Sequence, residues 1–327
     1  MSKQWSSFDK SKLMMENWRK FIQEEEGSSN MGDADELMKL NLSSFIDQVQ
    51  LKPNQAAILN GLADGDDDDD KFIVKSVVVT CRDLRPTQNE VVMSKSLEYP
   101  LVHAGDFIKY TSSNGPFKVG PPGNDAIITF GGKYVIDGHH RWSALYCCNP
   151  DAQLYAFNIS KPGESADDVL KAAQAAIMYA LGRIPANKGG GINLFEVDEK
   201  TVLKYVHSVL SKHPKSAMVI HDYLEERGTL KEFKQMGGAL VYQPLTKKII
   251  WPNIEVLKSE SPPMENATAR PLMPQTDKVG KVTAGGELPK ALEPLVKGRV
   301  NTEKPFRKGR DMKGINLGRY KSKKAAE

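Results

Sequence analysis

Apolar residues recur at helical spacing near the N-terminus. Leu13, Met14, Trp18, Phe21 and Ile22 fall on one stripe of residues 9–25, with charged positions opposite. After the polar break Gly27-Ser28-Ser29-Asn30, Asp33 or Asp35 can cap a second helix carrying Leu37, Met38, Leu40, Leu42, Phe45, Ile46 and Val49. A short third helix is expected from Pro53 to Leu62. The pattern then changes: Ile73, Val74, Val77, Val78 and Val79 form a β-branched run that predicts a buried strand ending near Leu84. Residues 85–90 read as a turn, Val91 to Leu97 as weakly helical, and 98–125 as loop-rich, with Gly115-Pro116 and Gly120-Pro121-Pro122-Gly123.

Two short apolar runs, Ala126 to Phe130 and Lys133 to Asp137, flank Gly131-Gly132 and predict a hairpin with a primed turn. A helix over 140–148 and a strand from Gln153 to Ile159 follow. The next helix starts near Ser165, has Asp167 and Asp168 in its first turn, and stops at Gly182. Lys188-Gly189-Gly190-Gly191 reads as a joint before helices at about 198–212, 216–227 and 229–236. From Ser259 the composition turns to Pro, Gly, Lys and polar residues, so 259–327 is expected to be a mostly disordered basic tail. The resulting organisation is a helical extension (1–65), an acidic linker (66–71), an α+β domain with a small mixed sheet (72–185), an α-helical extension (192–258) and the tail.

Charge is unevenly distributed behind a net +4. Residues 1–70 hold 7 Lys/Arg against 15 Asp/Glu, a net of −8, and residues 301–327 hold 9 against 3, a net of +6. A basic, glycine-containing tail with Arg307-Lys308-Gly309-Arg310 suits contact with nucleic acid, and equally suits a solvated arm that screens the acidic N-terminus. No apolar run approaches a membrane span, and the first 25 residues carry acids unlike a secretion signal, so no membrane partner and a cytoplasmic location are expected. The three cysteines, Cys81, Cys147 and Cys148, lack the spacing of a zinc site.

The stretch with the most chemistry is Tyr134-Val135-Ile136-Asp137-Gly138-His139-His140-Arg141-Trp142, a strand that stops at a glycine and restarts as a helix. A helix start has unpaired N–H groups and the positive end of the dipole, so it can hold a phosphate, with Arg141 adding a forked charge and Gly138 allowing close approach. His139 and His140 diverge by about 100° on a helix, so one of them is expected to be structural. The other is a candidate general acid/base or phosphate donor. Asp137 can help place Mg²⁺ or cap the helix, and Glu90 is a candidate base or a solvated turn residue. Trp142, Cys147 and Cys148 read as core.

With these residues in view, the stretch from about Val74 to Ile159 resembles the ParB/sulfiredoxin-like domain family. The match rests on Leu84-Arg85-Pro86-Thr87-Gln88-Asn89-Glu90-Val91 and on Asp137-Gly138-His139-His140-Arg141, and it covers about a quarter of the chain. The resemblance implies a sulfiredoxin-like fold around a mixed sheet that binds nucleotide or nucleic acid. Phosphate would lie on Gly138, His139, His140 and Arg141, with Arg85, Thr87 and Gln88 near sugar or base. It also implies a nucleotide cofactor (ATP, ADP or CTP) with Mg²⁺. His139 stands where sulfiredoxins have a nucleophilic Cys, which argues against sulfinic-acid repair. The downstream Glu265-Asn266-Ala267-Thr268-Ala269-Arg270 lacks the spacing of the CTP-gated clamps. The motif is closest to uncharacterised and phage-type ParB-like proteins and to free-serine kinases of this fold. Three readings follow: a nucleotide- or nucleic-acid-binding ParB-like protein with nuclease or nucleotide-hydrolysing activity, a nucleotide-dependent phosphotransferase, and a phage structural or interaction protein acting in the host cytoplasm.

Overall fold

The computed structural model describes residues 37, 39–49, 54, 71–120, 126–160, 165–181, 184, 189–231, 241–275 and 310–313. Its centre is a mixed sheet of six strands: β1 (Lys71–Thr80), β2 (Arg85–Pro86), β3 (Ile127–Phe130), β4 (Tyr134–Asp137), β5 (Gln153–Ser160) and β6 (Arg310–Lys313), in the spatial order β2-β4-β3-β5-β1-β6. β2 lies parallel to β4 and β3 parallel to β5, while the β3/β4, β1/β5 and β1/β6 pairs are antiparallel. The α+β class and the small mixed sheet agree with the sequence reading.

The hairpin forms where the two glycines require it. Gly131 and Gly132 both have positive φ, 59° and 69°, and the Lys133 N–H closes the turn on the Phe130 carbonyl at 3.1 Å. Two positive φ angles in succession define the primed turn that matches strand twist. The Asn158 carboxamide oxygen accepts from Gly132 N at 2.6 Å and Thr129 Oγ1 at 3.2 Å, which ties the hairpin to β5.

Helices cover both faces of the sheet. On one side, Ile127, Val135, Leu154 and Ala156 join a core with α2 (Met93–Val102), α3 (Ala104–Ser112), α4 (His139–Cys148), α6 (Glu199–Lys212) and α7 (Pro214–Glu226). Completing it, α8 (Tyr242–Leu245), a π-helical turn (Thr246–Ile250) and α9 (Trp251–Glu260) run on from one another. Pro252 has no N–H for a regular i to i−4 bond, and the π turn just before it ends with Trp251 N–H on the Thr246 carbonyl. Trp142 is fully buried, donates from Nε1 to the Cys81 carbonyl at 2.9 Å and packs edge-on to Tyr146, so it is core. Cys81, Cys147 and Cys148 are buried free thiols, and burial pushes all three pKa values up.

On the other side α5 (Ala166–Leu181) packs against β4 and against α1 (Leu42–Gln48). Ser165 and Asp168 cap α5 reciprocally, Asp168 N–H donating to Ser165 Oγ and Ser165 N–H to Asp168 Oδ2. Lys171 is buried, paired with Asp167 and Asp168, and donates to the Leu40 carbonyl, which docks the N-terminal segment on α5.

Several expectations are corrected. Residues 98–102 and 104–112 are helical, broken only at His103, because Leu97 and Leu101 in the first helix and Phe107 and Tyr110 in the second are buried at helical spacing despite Pro100 and Gly105. β1 is not a fully buried strand: Val78 is 46 % exposed. Residues 259–275 are packed, with Ser261, Thr268, Arg270, Met273 and Gln275 buried, because the segment pairs its backbone with residues 86–89. Arg310 to Lys313 form a strand. The helices expected over 9–25, most of 53–62 and most of 229–236, and the rest of the tail, lie outside the described residues.

Candidate functional site

The site is the junction of β4 and α4. Gly138 is the N-cap residue at φ 91° and, having no side chain, offers no cap to the first turn of α4. A Cβ at Gly138 would sit 2.5 Å from Ile127 Cγ2 and 3.0 Å from Arg141 Nη2, so both the turn and the packing require glycine. Asp137 does not cap the helix as expected. Its carboxylate accepts from Arg141 Nη2 at 3.1 Å, one helical turn on, and Arg141 Nη1 donates to the Ala126 carbonyl at 2.6 Å. The guanidinium therefore bridges β3 to the helix start.

Both histidines are held by the loop that follows β2. The Thr87 hydroxyl donates its one proton to the Val135 carbonyl at 2.7 Å, so its 3.3 Å contact with His139 Nε2 requires a proton on that nitrogen. His140 Nε2 accepts from the Val92 N–H at 3.3 Å, which leaves the His140 proton on Nδ1. Burial lowers the His139 pKa to about 3; the neighbouring His140, Arg141 and Arg270 act in the same direction and the Val135 carbonyl against it. Burial, then Arg270 and Lys95, lowers His140 to about 3. The two rings are neutral at physiological pH and have opposite tautomers.

Of the other residues singled out in the sequence, Thr87 meets the motif directly and Gln88 is buried beside it, its Nε2 without a hydrogen-bond partner. Glu90 is half-buried, and its Oε1 is shielded from water and unpartnered. Arg85 is exposed on β2, opposite Tyr134. Among the described residues no group of three His, Cys, Asp or Glu side chains is placed to hold a metal ion, and no helix is long and apolar enough to cross a membrane.

Two segments that the sequence did not connect to the motif complete the site. Residues 264–268 run alongside 86–89: Met264 N–H donates to the Pro86 carbonyl, Thr268 N–H to that of Thr87, and Asn89 N–H to that of Thr268. This brings the buried Arg270 within electrostatic reach of both imidazoles. The second segment follows the glycine joint. Asn193 Oδ1 accepts from Val91 N–H and Phe195 N–H, and its Nδ2 donates to the Asn89 carbonyl and to Glu196. Gly191 allows that approach, since a Cβ there would lie 2.6 Å from Val92 Cγ1. Arg270 stands in the Glu265-Asn266 segment, whose spacing argued against a role, and Lys95 and Asn193 had no signal in the sequence.

No family model, curated protein or solved structure matches this chain. The likeness to ParB/sulfiredoxin-like domains therefore rests on the motif residues alone.

Proposed function

We propose that this chain is a ParB-like domain protein that binds the phosphate of a nucleotide or nucleic acid at the start of α4. The observation that carries the reading is the first turn of α4, to which the N-cap Gly138 offers no side-chain acceptor, within electrostatic reach of Arg141, Arg270 and Lys95 and beside two neutral imidazoles. An anion there meets orphan N–H groups, the helix dipole and nearby cations at once. His140 adds a neutral Nδ1–H donor, fixed in that tautomer by the Val92 N–H. His139 positions the turn through Thr87. Neither ring acts as a proton carrier near neutral pH in this scheme, because a base with a pKa of about 3 is too weak. The basic tail adds sequence-independent affinity for nucleic acid.

A second reading, a nucleotide-dependent phosphotransferase, is favoured by Glu90, whose shielded and unpartnered oxygen suits a general base. Calorimetric titration of the full chain with ATP, ADP and CTP plus Mg²⁺ tests the first reading. Saturable binding is expected, with affinity falling about tenfold or more in Arg270→Ala, in line with loss of a charge-assisted contact. Absence of binding in a folded wild-type protein overturns the nucleotide pocket. Where nucleotide binds, turnover abolished by Glu90→Gln with binding retained would favour the phosphotransferase.

A further inference from the structure

Arg270 reaches the imidazoles from a segment that is anchored on the opposite layer of the molecule. The chain over 261–275 pairs its backbone with residues 86–89, which continue β2 at the end of the sheet. It then forms the short 3-10 turn Arg270–Leu272. Arg270, at one end of that turn, is buried near His139 and His140. The carbonyl of Leu272, at the other end, accepts from Nε2 of Gln174 on α5. Two residues of backbone therefore connect the face that carries α4 with the face that carries α5.

We infer that Gln174 is a positioning residue: it holds the turn Arg270–Leu272 and thereby fixes Arg270 beside the first turn of α4. The inference rests on the phosphate-binding reading and adds to it a residue that touches no ligand. Inside the turn, Leu272 N–H donates to the Ala269 carbonyl at 2.9 Å and Met273 N–H to that of Arg270 at 3.1 Å. Outside it, Pro271 packs on Gly189, where a Cβ would lie 3.1 Å from Pro271 Cγ, and α1 packs against the same turn. Those contacts are small, and a segment with few apolar anchors has little else to offset the entropy of ordering a long Arg side chain. A directional hydrogen bond two residues away supplies that order.

The chemistry of Gln174 supports this role over simple packing. The side chain is 1 % exposed, and its Oε1 is enclosed without a hydrogen-bond partner. The acceptor it meets is a carbonyl, so the nitrogen must face Leu272 and the oxygen must face away. Its buried neighbours along α5, Val169, Leu170, Ala173 and Ile177, are apolar. A Leu or Met among them would fill the space without leaving a polar atom unmet, so the carboxamide is a costly filler. What it adds is the bond to the segment that carries Arg270. One turn earlier Lys171 donates to the Leu40 carbonyl, so the same stretch of α5 ties down both the N-terminal segment and the segment of Arg270.

A double-variant cycle in the full chain tests the role, with Mg²⁺·ADP as the probe. Gln174→Met keeps the volume and removes the bond. Its Leu272 and Met273 amides are expected to exchange about tenfold faster than in the wild type without nucleotide, with sheet amides unchanged. Its affinity for Mg²⁺·ADP is expected to fall about threefold or more. In the Arg270→Met background the same substitution should change affinity by less than about 1.5-fold, because Gln174 acts through Arg270. Ile177→Val, a packing change on the same helix, should lower the urea midpoint and leave affinity unchanged. Unchanged exchange at Leu272 and Met273 overturns the inference. So do losses that multiply in the double variant, or a loss of affinity in Ile177→Val equal to that in Gln174→Met, either of which would assign Gln174 to general packing and leave the phosphate site standing. A folded wild type that does not bind Mg²⁺·ADP removes the site and the positioning role together.

Discussion

Lowering the pH from 7 to 5 is expected to destabilise the fold by about 4 kcal/mol, from His139 and His140 together. Both rings have folded pKa values near 3 against 6.5 unperturbed. Between those values the unfolded chain binds two protons that the folded chain does not, so stability rises with pH in that window. It is fully present above about 6.5 and is lost progressively as pH falls toward 3. The structural cause is specific. A second proton on His140 must displace the Val92 N–H from Nε2, and one on His139 adds charge to a ring that is 5 % exposed and already near Arg141 and Arg270. Urea unfolding at the two pH values measures the difference. His139→Gln and His140→Gln should each remove about half of it. A wild-type stability unchanged between pH 7 and pH 5 would contradict the buried neutral pair.

Gly138→Ala is expected to cost about 3 kcal/mol, combining a left-handed backbone with overpacking against Ile127 and Arg141. The φ of 91° and the 2.5 Å approach of an added methyl to Ile127 Cγ2 make the two contributions separable. Gly132→Ala has a similar positive φ, 69°, with no atom within 4 Å of the added Cβ, so it should cost only about 1 kcal/mol. Combining Gly138→Ala with Ile127→Ala relieves the overlap, and the double variant should lose less than the sum of the two single losses. Equal costs at positions 138 and 132, by urea midpoint, would mean that the close packing of the β4–α4 junction is not what requires glycine.

The elements readable in the sequence are those whose periodicity and turn chemistry agree. Gly131-Gly132 marked the hairpin and Ser165, with Asp167 and Asp168 in the first turn, the start of α5; a helix was expected from about residue 198, and the structure shows Asp198 capping it by accepting from Thr201 N–H. The motif helix was legible from Gly138 onward. The helices over 93–112 were obscured because Pro100 and Gly105 carry breaker signals that burial of Leu101, Phe107 and Tyr110 overrides. Exposure of Val78 was hidden because β1 is β-branched on both faces, so alternation could not reveal its edge.

The site was half legible. Gly138, His139, His140, Arg141 and Thr87 do come together, but the tethering of Arg141 to Asp137 and Ala126 is long-range in part and has no local pattern. Arg270 was missed for a physical reason: residues 261–275 have few apolar anchors and read as disordered, and their order comes from backbone pairing with 86–89 and from the Gln174 carboxamide, which donates to the Leu272 carbonyl. Composition reports apolar burial and is silent on such pairing.

The central claim is that a phosphate lies on the first turn of α4. Amide spectra of the full chain during titration with Mg²⁺·ADP test it most directly, with inorganic phosphate as a second probe. The account predicts saturable shifts of the His139 and His140 backbone N–H signals and of the His140 Nδ1 signal, at one common affinity. Shifts confined to lysines of the basic tail, or none at the start of α4 at saturating nucleotide, would contradict it.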